Sequence, residues 1–189
     1  GVNAAVKAQV VYAHYLEKAG AGKIALLEEA AGWAEARRDE APKDANAHYL
    51  YAFALGRYSQ GISVAKALAQ GLGSKVKIAL ETTIKLAPQH ADAHIALGAF
   101  HAEVIDKVGK LLGKTQGADT ATGLKMFQQA LKLNPGSAIA MIEPRYLVSV
   151  GSTWLRFIAA CIIAITRPIS QRPTIQNAIA ASILIASSE

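Results

Sequence analysis

The sequence predicts an all-α protein of about six to eight helices, packed as antiparallel pairs that repeat along the chain. Three observations predict it. Apolar residues make up 52% of the 189 residues, yet aromatics only 6%, and alanine is very abundant. Small, strongly helix-favouring residues suit closely packed helices, whereas a sheet draws on β-branched and aromatic side chains. Apolar positions recur three and four residues apart over long stretches, which is the period of one helix face. Finally, Pro42, Pro88 and Pro135 stand 46 and 47 residues apart, each with a helical pattern before it and another after it. A chain of this length can bury one substantial core, as one domain or one short repeat array.

In chain order, "IALLEEAAGWAEARRDE" from Ile24 is a helix that runs up to Pro42. After a turn of about three residues, "APKDANAHYLYAFALGRY" from Ala41 carries the next helix. "SKVKIALETTIKLA" leads to Pro88, and "APQHADAHIALGAFHAEV" from Ala87 follows it. "ATGLKMFQQALKLN" leads to Pro135, followed by "NPGSAIAMIEPRYLVSV". The unit is therefore a helix, a proline-marked turn and a second helix. Such pairs cannot bury their apolar faces alone and must stack on their neighbours.

These residues resemble the tetratricopeptide repeat family. Pro88 takes the place of the family's closing proline, Ala91 starts the next first helix, and Leu97 and Gly98 match its Leu and Gly positions, with His94 where the family has Trp. Gly123, Phe127, Ala130 and Pro135 match the small, aromatic, alanine and proline positions of the second helix. Before Pro42 the weaker first copy offers Ala30, Ala34 and Arg37. The resemblance covers residues 22–143 and departs from the family period of about 34 residues. The extra residues fall at "QGLGS" and at "GKLLGKTQGADTATG". The second insertion is expected to be a mobile loop over residues 113–121, because it lacks an apolar anchor.

In this family the first helix of each pair lines a concave face. The resemblance therefore implies a partner-binding groove built from Asn46, Tyr49, Phe53 and Arg57, then Asp92, Ile95, Ala99 and Glu103. Tyr49, Phe53 and Ile95 would form an apolar floor, Arg57 would grip a carboxylate, and Asn46 would hydrogen-bond a peptide backbone. The competing reading makes Tyr49, Phe53 and Ile95 ordinary core residues. The function expected is a non-enzymatic scaffold that holds a protein or peptide partner, with no cofactor, and self-association is left open.

Other chemistries fit less well. "VGKLLGKTQG" contains Gly113-Lys114-Thr115, the closing triplet of a phosphate-binding loop. That loop needs a glycine five positions before the Gly-Lys pair and a preceding strand. Here that position is Val108, Gly109 lies one residue too close, and the preceding pattern of Val104, Ile105, Val108, Leu111 and Leu112 is helical. "GAGKI" at 20–24 lacks the hydroxyl residue after its Lys, "GLGSK" at 71–75 lacks the Lys spacing, and both read as inter-helix loops. His90, His94 and His101 fall within about 40° of each other on an ideal helix. They support an alternative metal- or small-molecule-binding reading, although no carboxylate is placed to orient such ligands. Otherwise no metal site is expected. No nucleophile elbow, triad order or paired-carboxylate pocket is evident, which argues against an enzyme.

The net charge of +6 looks like a nucleic-acid signal until its distribution is considered. Residues 1–143 hold 16 basic and 13 acidic side chains, without the dense basic stripe that nucleic acid requires. The single cysteine, Cys161, excludes an intramolecular disulfide framework. A cytoplasmic location is favoured slightly, and a periplasmic or exported one stays open if a signal peptide preceded Gly1. Residues 144–189 change in composition: they contain no Lys and, until Glu189, no acid. Arg156, Arg167, Pro168 and Pro173 cut this apolar segment, leaving no run of about 20 apolar residues. It is expected to cap the array, with a membrane-attached adaptor as the alternative and a discontinuity in the sequence itself as a third reading. Pro144 should break or kink the helix near residues 143–145.

Overall fold

The structure, a computed structural model, describes residues 1–137. The expected break at Pro144 and the segment 144–189 lie outside the described residues. Among the described residues seven helices follow in order: α1 (Val2–Tyr15), α2 (Ala21–Glu40), α3 (Ala45–Gly61), α4 (Val64–Ala69), α5 (Leu72–Leu86), α6 (Ala91–Thr115) and α7 (Thr120–Leu133). Among the described residues there is no strand. Adjacent helices pack antiparallel: α1 on α2, α2 on α3, α3 on α5, α5 on α6 and α6 on α7, while α1 also reaches α3 and the short α4 only edges α5.

Local chemistry places the helix starts. Asp44 accepts from the Asn46 backbone N–H at 2.9 Å, Asp119 from that of Thr122 at 2.8 Å, and the ring of His90 from that of Ala93 at 3.2 Å. Each cap satisfies a backbone donor that the first helical turn leaves without a partner. At the Pro42 and Pro88 joints a histidine closes the turn. His48 Nε2 lies 2.9 Å from the Pro42 carbonyl oxygen and His94 Nε2 lies 3.0 Å from that of Pro88. In each pair the ring nitrogen donates to the carbonyl, so one tautomer is selected twice by the same local pattern.

The core between helices is built from small side chains with a few large ones inserted. Ala30 and Ala34 of α2, Ala47 and Ala54 of α3 and Ala93 of α6 are buried, and Phe127, Leu27 and Leu80 are the largest fully buried apolar side chains. Gly98 shows why size matters here. A Cβ at this position would lie 2.8 Å from two carbons of the Phe127 ring, closer than packed atoms approach. Glycine lets α6 sit directly on that ring.

The two insertions do not form the expected loops. At the first, only Gln70 and Gly71 connect helices, as the turn between α4 and α5, and the rest of "GLGSK" from Leu72 on already belongs to α5. "GAGKI" likewise opens α2, after Gly20. In the second, residues as far as Thr115 belong to α6, interrupted at Gly109, whose φ of 78° and ψ of 166° are not helical. The expectation that 113–121 lacks an apolar anchor is corrected: Gly113 and Ala118 are both buried. The Ala118 N–H donates to the Gly113 carbonyl at 2.8 Å, and the Asp119 N–H donates to His101 Nδ1 at 3.1 Å. Small residues supply an anchor that a search for large apolar side chains overlooks.

Candidate functional site

Two helices position the surface expected from the sequence. Near its start, α3 carries Asn46, whose side-chain oxygen lies 3.2 Å from His90 Nε2 at the start of α6. Near its end, Gln60 Nε2 donates to Glu103 Oε1 at 2.6 Å. These two links join residues 44 and 43 positions apart in sequence, a nearly constant offset, so α3 and α6 run parallel and side by side. The first helices of successive units thus share one face.

On α3, Tyr49, Phe53 and Arg57 follow at one-turn spacing along that face. The Tyr49 and Phe53 rings stack with centroids 6.3 Å apart, and the Arg57 guanidinium lies 5.6 Å from the Phe53 centroid. Tyr49 also meets the His90 ring at 4.7 Å. Tyr49, Phe53 and Ile95 are half-buried, neither core nor fully open, as are Arg57, Ala99 and Glu103, whereas Asn46 and Asp92 are exposed. The structure therefore connects Asn46, Tyr49, Phe53 and Arg57 through rings and hydrogen bonds, and leaves Ile95 and Ala99 on the facing helix.

Electrostatics distinguish the ends of this face. Burial, reinforced by Asp92 and partly offset by Arg57, pushes the Tyr49 hydroxyl up to about 12. At the other end burial raises the Glu103 carboxyl above its ordinary value, against the pull of the Gln60 hydrogen bond, Arg57 and Lys107. Arg57 donates to the Gln60 amide oxygen at 3.0 Å, and no ion pair among the described residues includes it. It is a cation held over an aromatic ring, linked to the Glu103 carboxylate through Gln60 and not by direct ion-pair contact.

Sequence reasoning missed the links that Gln60 and His90 make between α3 and α6, because each acts through a neighbour more than forty positions away. It also missed a second cleft of about 390 Å³ on the α2 and α5 side, floored by Tyr51, Leu55 and Leu72, with Glu28, Glu35 and Lys75 on its walls. The Tyr51 hydroxyl donates to Glu35 at 3.1 Å and that of Tyr58 to Glu28 at 3.4 Å. The seven-residue spacing within each pair, Glu28 with Glu35 and Tyr51 with Tyr58, was a usable sign that two facing helices share these contacts.

The histidine stripe does not converge. His90 caps α6 and meets Asn46, His94 holds the Pro88 carbonyl, and His101 accepts from Asp119. One helix face passes three different neighbours in turn, so alignment on that face does not bring the rings to a common point. Among the described residues no group of three or more His, Cys, Asp or Glu side chains could hold a metal ion. Gly113-Lys114-Thr115 closes a helix instead of opening one, with the Thr115 hydroxyl donating to the Leu112 carbonyl at 2.7 Å. The amide end of a helix, which favours phosphate, is not presented there.

No curated protein matches the chain. A family model does, over residues 4–142, from within α1 to beyond the end of α7. On that match, which covers most of its length, the chain belongs to the family described as regulator of microtubule dynamics protein 1-3.

Proposed function

We propose that this chain is a non-enzymatic interaction scaffold, a tetratricopeptide-like array whose α3 and α6 face holds a segment of a partner protein involved in microtubule dynamics. The family description supports the biological setting. The proline joints, the small residues at buried positions and the parallel first helices support the repeat reading. A single observation carries the choice of face: the half-buried stack of Tyr49 and Phe53, with the Arg57 guanidinium above it in no direct ion pair among the described residues. Partly desolvated aromatics beside an arginine are the residue types that dominate binding energy at protein interfaces. This reading needs no cofactor and no metal.

The test is co-sedimentation of the full chain with microtubules, together with capture of soluble tubulin. The Tyr49→Ala, Phe53→Ala double variant should weaken binding by about 2 kcal/mol or more, with its helical circular dichroism retained. Ile78→Ala, on an exposed part of α5, should leave affinity unchanged. Unchanged affinity in the folded double variant removes the face from the proposal. Failure of the unaltered chain to bind either form of tubulin removes the direct microtubule partner.

A further inference from the structure

The turn after Gly109 carries chemistry that the α3 and α6 face does not use. In an unbroken helix, residues 105 and 113 would be separated by about 12 Å along the axis. Here a Cβ at Gly113 would stand 3.2 Å from Ile105 Cγ1, so the chain folds back after Gly109 and lays residues 110–115 beside the helix it has just left. Gly113 is the buried side of that returning turn. At about 100° per residue, burying Gly113 directs Leu111 nearly opposite, with Lys110 and Lys114 on one flank and Leu112 on the other.

The exposures agree with this geometry. Leu111 is 83% exposed, the most of any large apolar residue described, and Leu112 is 57% exposed. Lys107, Lys110 and Lys114 are exposed as well, and no ion pair among the described residues includes them. Asp106 is the one acid within residues 104–118, the Glu103 carboxylate accepts from Gln60, and the Asp119 carboxylate, which feels the charge of Lys114, is engaged by both the N–H and the hydroxyl of Thr122. The result is a convex crest of two bare leucines flanked by unpaired cations.

We propose that this crest docks the protein on an anionic lipid bilayer. A leucine on a convex turn has no surrounding groove to receive a partner's side chain; it must itself be received. A bilayer interface does so anywhere along its surface, taking the leucines into the headgroup boundary while lysines remain at the level of the phosphates. The unpaired lysines match an anionic surface, where each cation within a Debye length adds attraction. This docking is independent of the α3 and α6 face and is compatible with a partner held there.

Vesicle flotation of the full chain tests it, using phosphatidylcholine vesicles with and without phosphatidylserine at low and high salt. The unaltered chain should float with the phosphatidylserine vesicles. Leu111→Glu with Leu112→Glu should lower that partitioning on the order of tenfold or more. Lys110→Ala with Lys114→Ala should lower it several-fold at low salt and hardly at high salt. Circular dichroism checks that the variants remain folded, and the Tyr49→Ala, Phe53→Ala variant should float like the unaltered chain. Equal flotation of the glutamate variant overturns the proposal. So does binding that ignores phosphatidylserine, or a self-associated chain that the glutamate variant dissociates without any vesicle binding.

Discussion

The joints at Pro42 and Pro88 share one sequence pattern, yet the helix pairs they introduce are packed by different means. Both turns end in a helix cap, Asp44 in one and His90 in the other, and both are closed by a histidine on the proline carbonyl. Four residues beyond that histidine, α3 has Ala52 and α6 has Gly98. Eight residues before the closing proline of each following helix, α5 has Leu80 and α7 has Phe127, both fully buried. A larger side chain on one helix accompanies a smaller one on its partner. At the next equivalent position α3 buries Leu55 and α6 buries His101. Along the half-buried α3 and α6 face, Arg57 in one copy stands where Glu103 does in the other. The difference teaches that the repeat conserves the backbone path, while each interface is a separate solution of size and charge, so residues cannot be exchanged singly between copies.

The largest effect should come from emptying the larger interface. Phe127→Ala should destabilise the protein by about 3–5 kcal/mol and Leu80→Ala by about 2–5 kcal/mol, read as shifts in urea midpoint. A Phe127→Ala effect no greater than that of a surface substitution would break the comparison. Next, Gly98→Ala should cost about 1–3 kcal/mol because the new methyl meets a ring that cannot move away, while Ala52→Gly should cost about 0.5–1 kcal/mol. Phe127→Leu added to Gly98→Ala recreates the alanine and leucine pairing of the first copy. It should recover part of the loss, and strict additivity of the two changes would show that the positions are not coupled.

Of the two caps, Asp44→Ala should cost about 0.5–2 kcal/mol, since Asp44 also lies 3.5 Å from Arg37. The smallest effect separates Leu55 from His101 by pH. Burial, and after it Lys77, holds the His101 imidazole below its ordinary value. The unfolded chain therefore takes up this proton first, so stability present above about pH 6.5 is lost as pH falls through the folded value. His14 shifts in the same direction, from burial first and then Arg57 and Lys23. His101→Leu should thus show a shallower loss of stability between about pH 7.5 and about pH 5, along with lower stability at neutral pH, because the Asp119 N–H loses its acceptor. Identical pH slopes in the two proteins would remove His101 as the source.

Much of this architecture was legible in advance. The helices on either side of Pro42 and Pro88 were readable because proline position, capping residues and apolar spacing act within a few residues of each other. Gly98 and Phe127 were recognisable as a small and a large partner through their place in the repeat. The reading failed where the chain bends back. Val108, Leu111 and Leu112 share a helical period on paper, but Gly109 at positive φ reverses the direction between them, so Leu111 faces outward. The α3 and α6 face was readable as two separate sets of residues. Its links through His90 and Gln60 were not, since they depend on the offset between two helices and on no local signal.

By itself the sequence determined that this region is helical, where its helices are joined, and that the joints repeat. These follow from backbone hydrogen bonding, steric exclusion by proline and the period of apolar burial, all of them local. Only the tertiary structure decided that three aligned histidines serve three different neighbours, that Tyr49 and Phe53 stop half-way between core and surface, and that Leu111 and Leu112 stand clear of the core. Burial and side-chain partnership are properties of the space between elements, and that space exists only once helices distant in sequence have packed together.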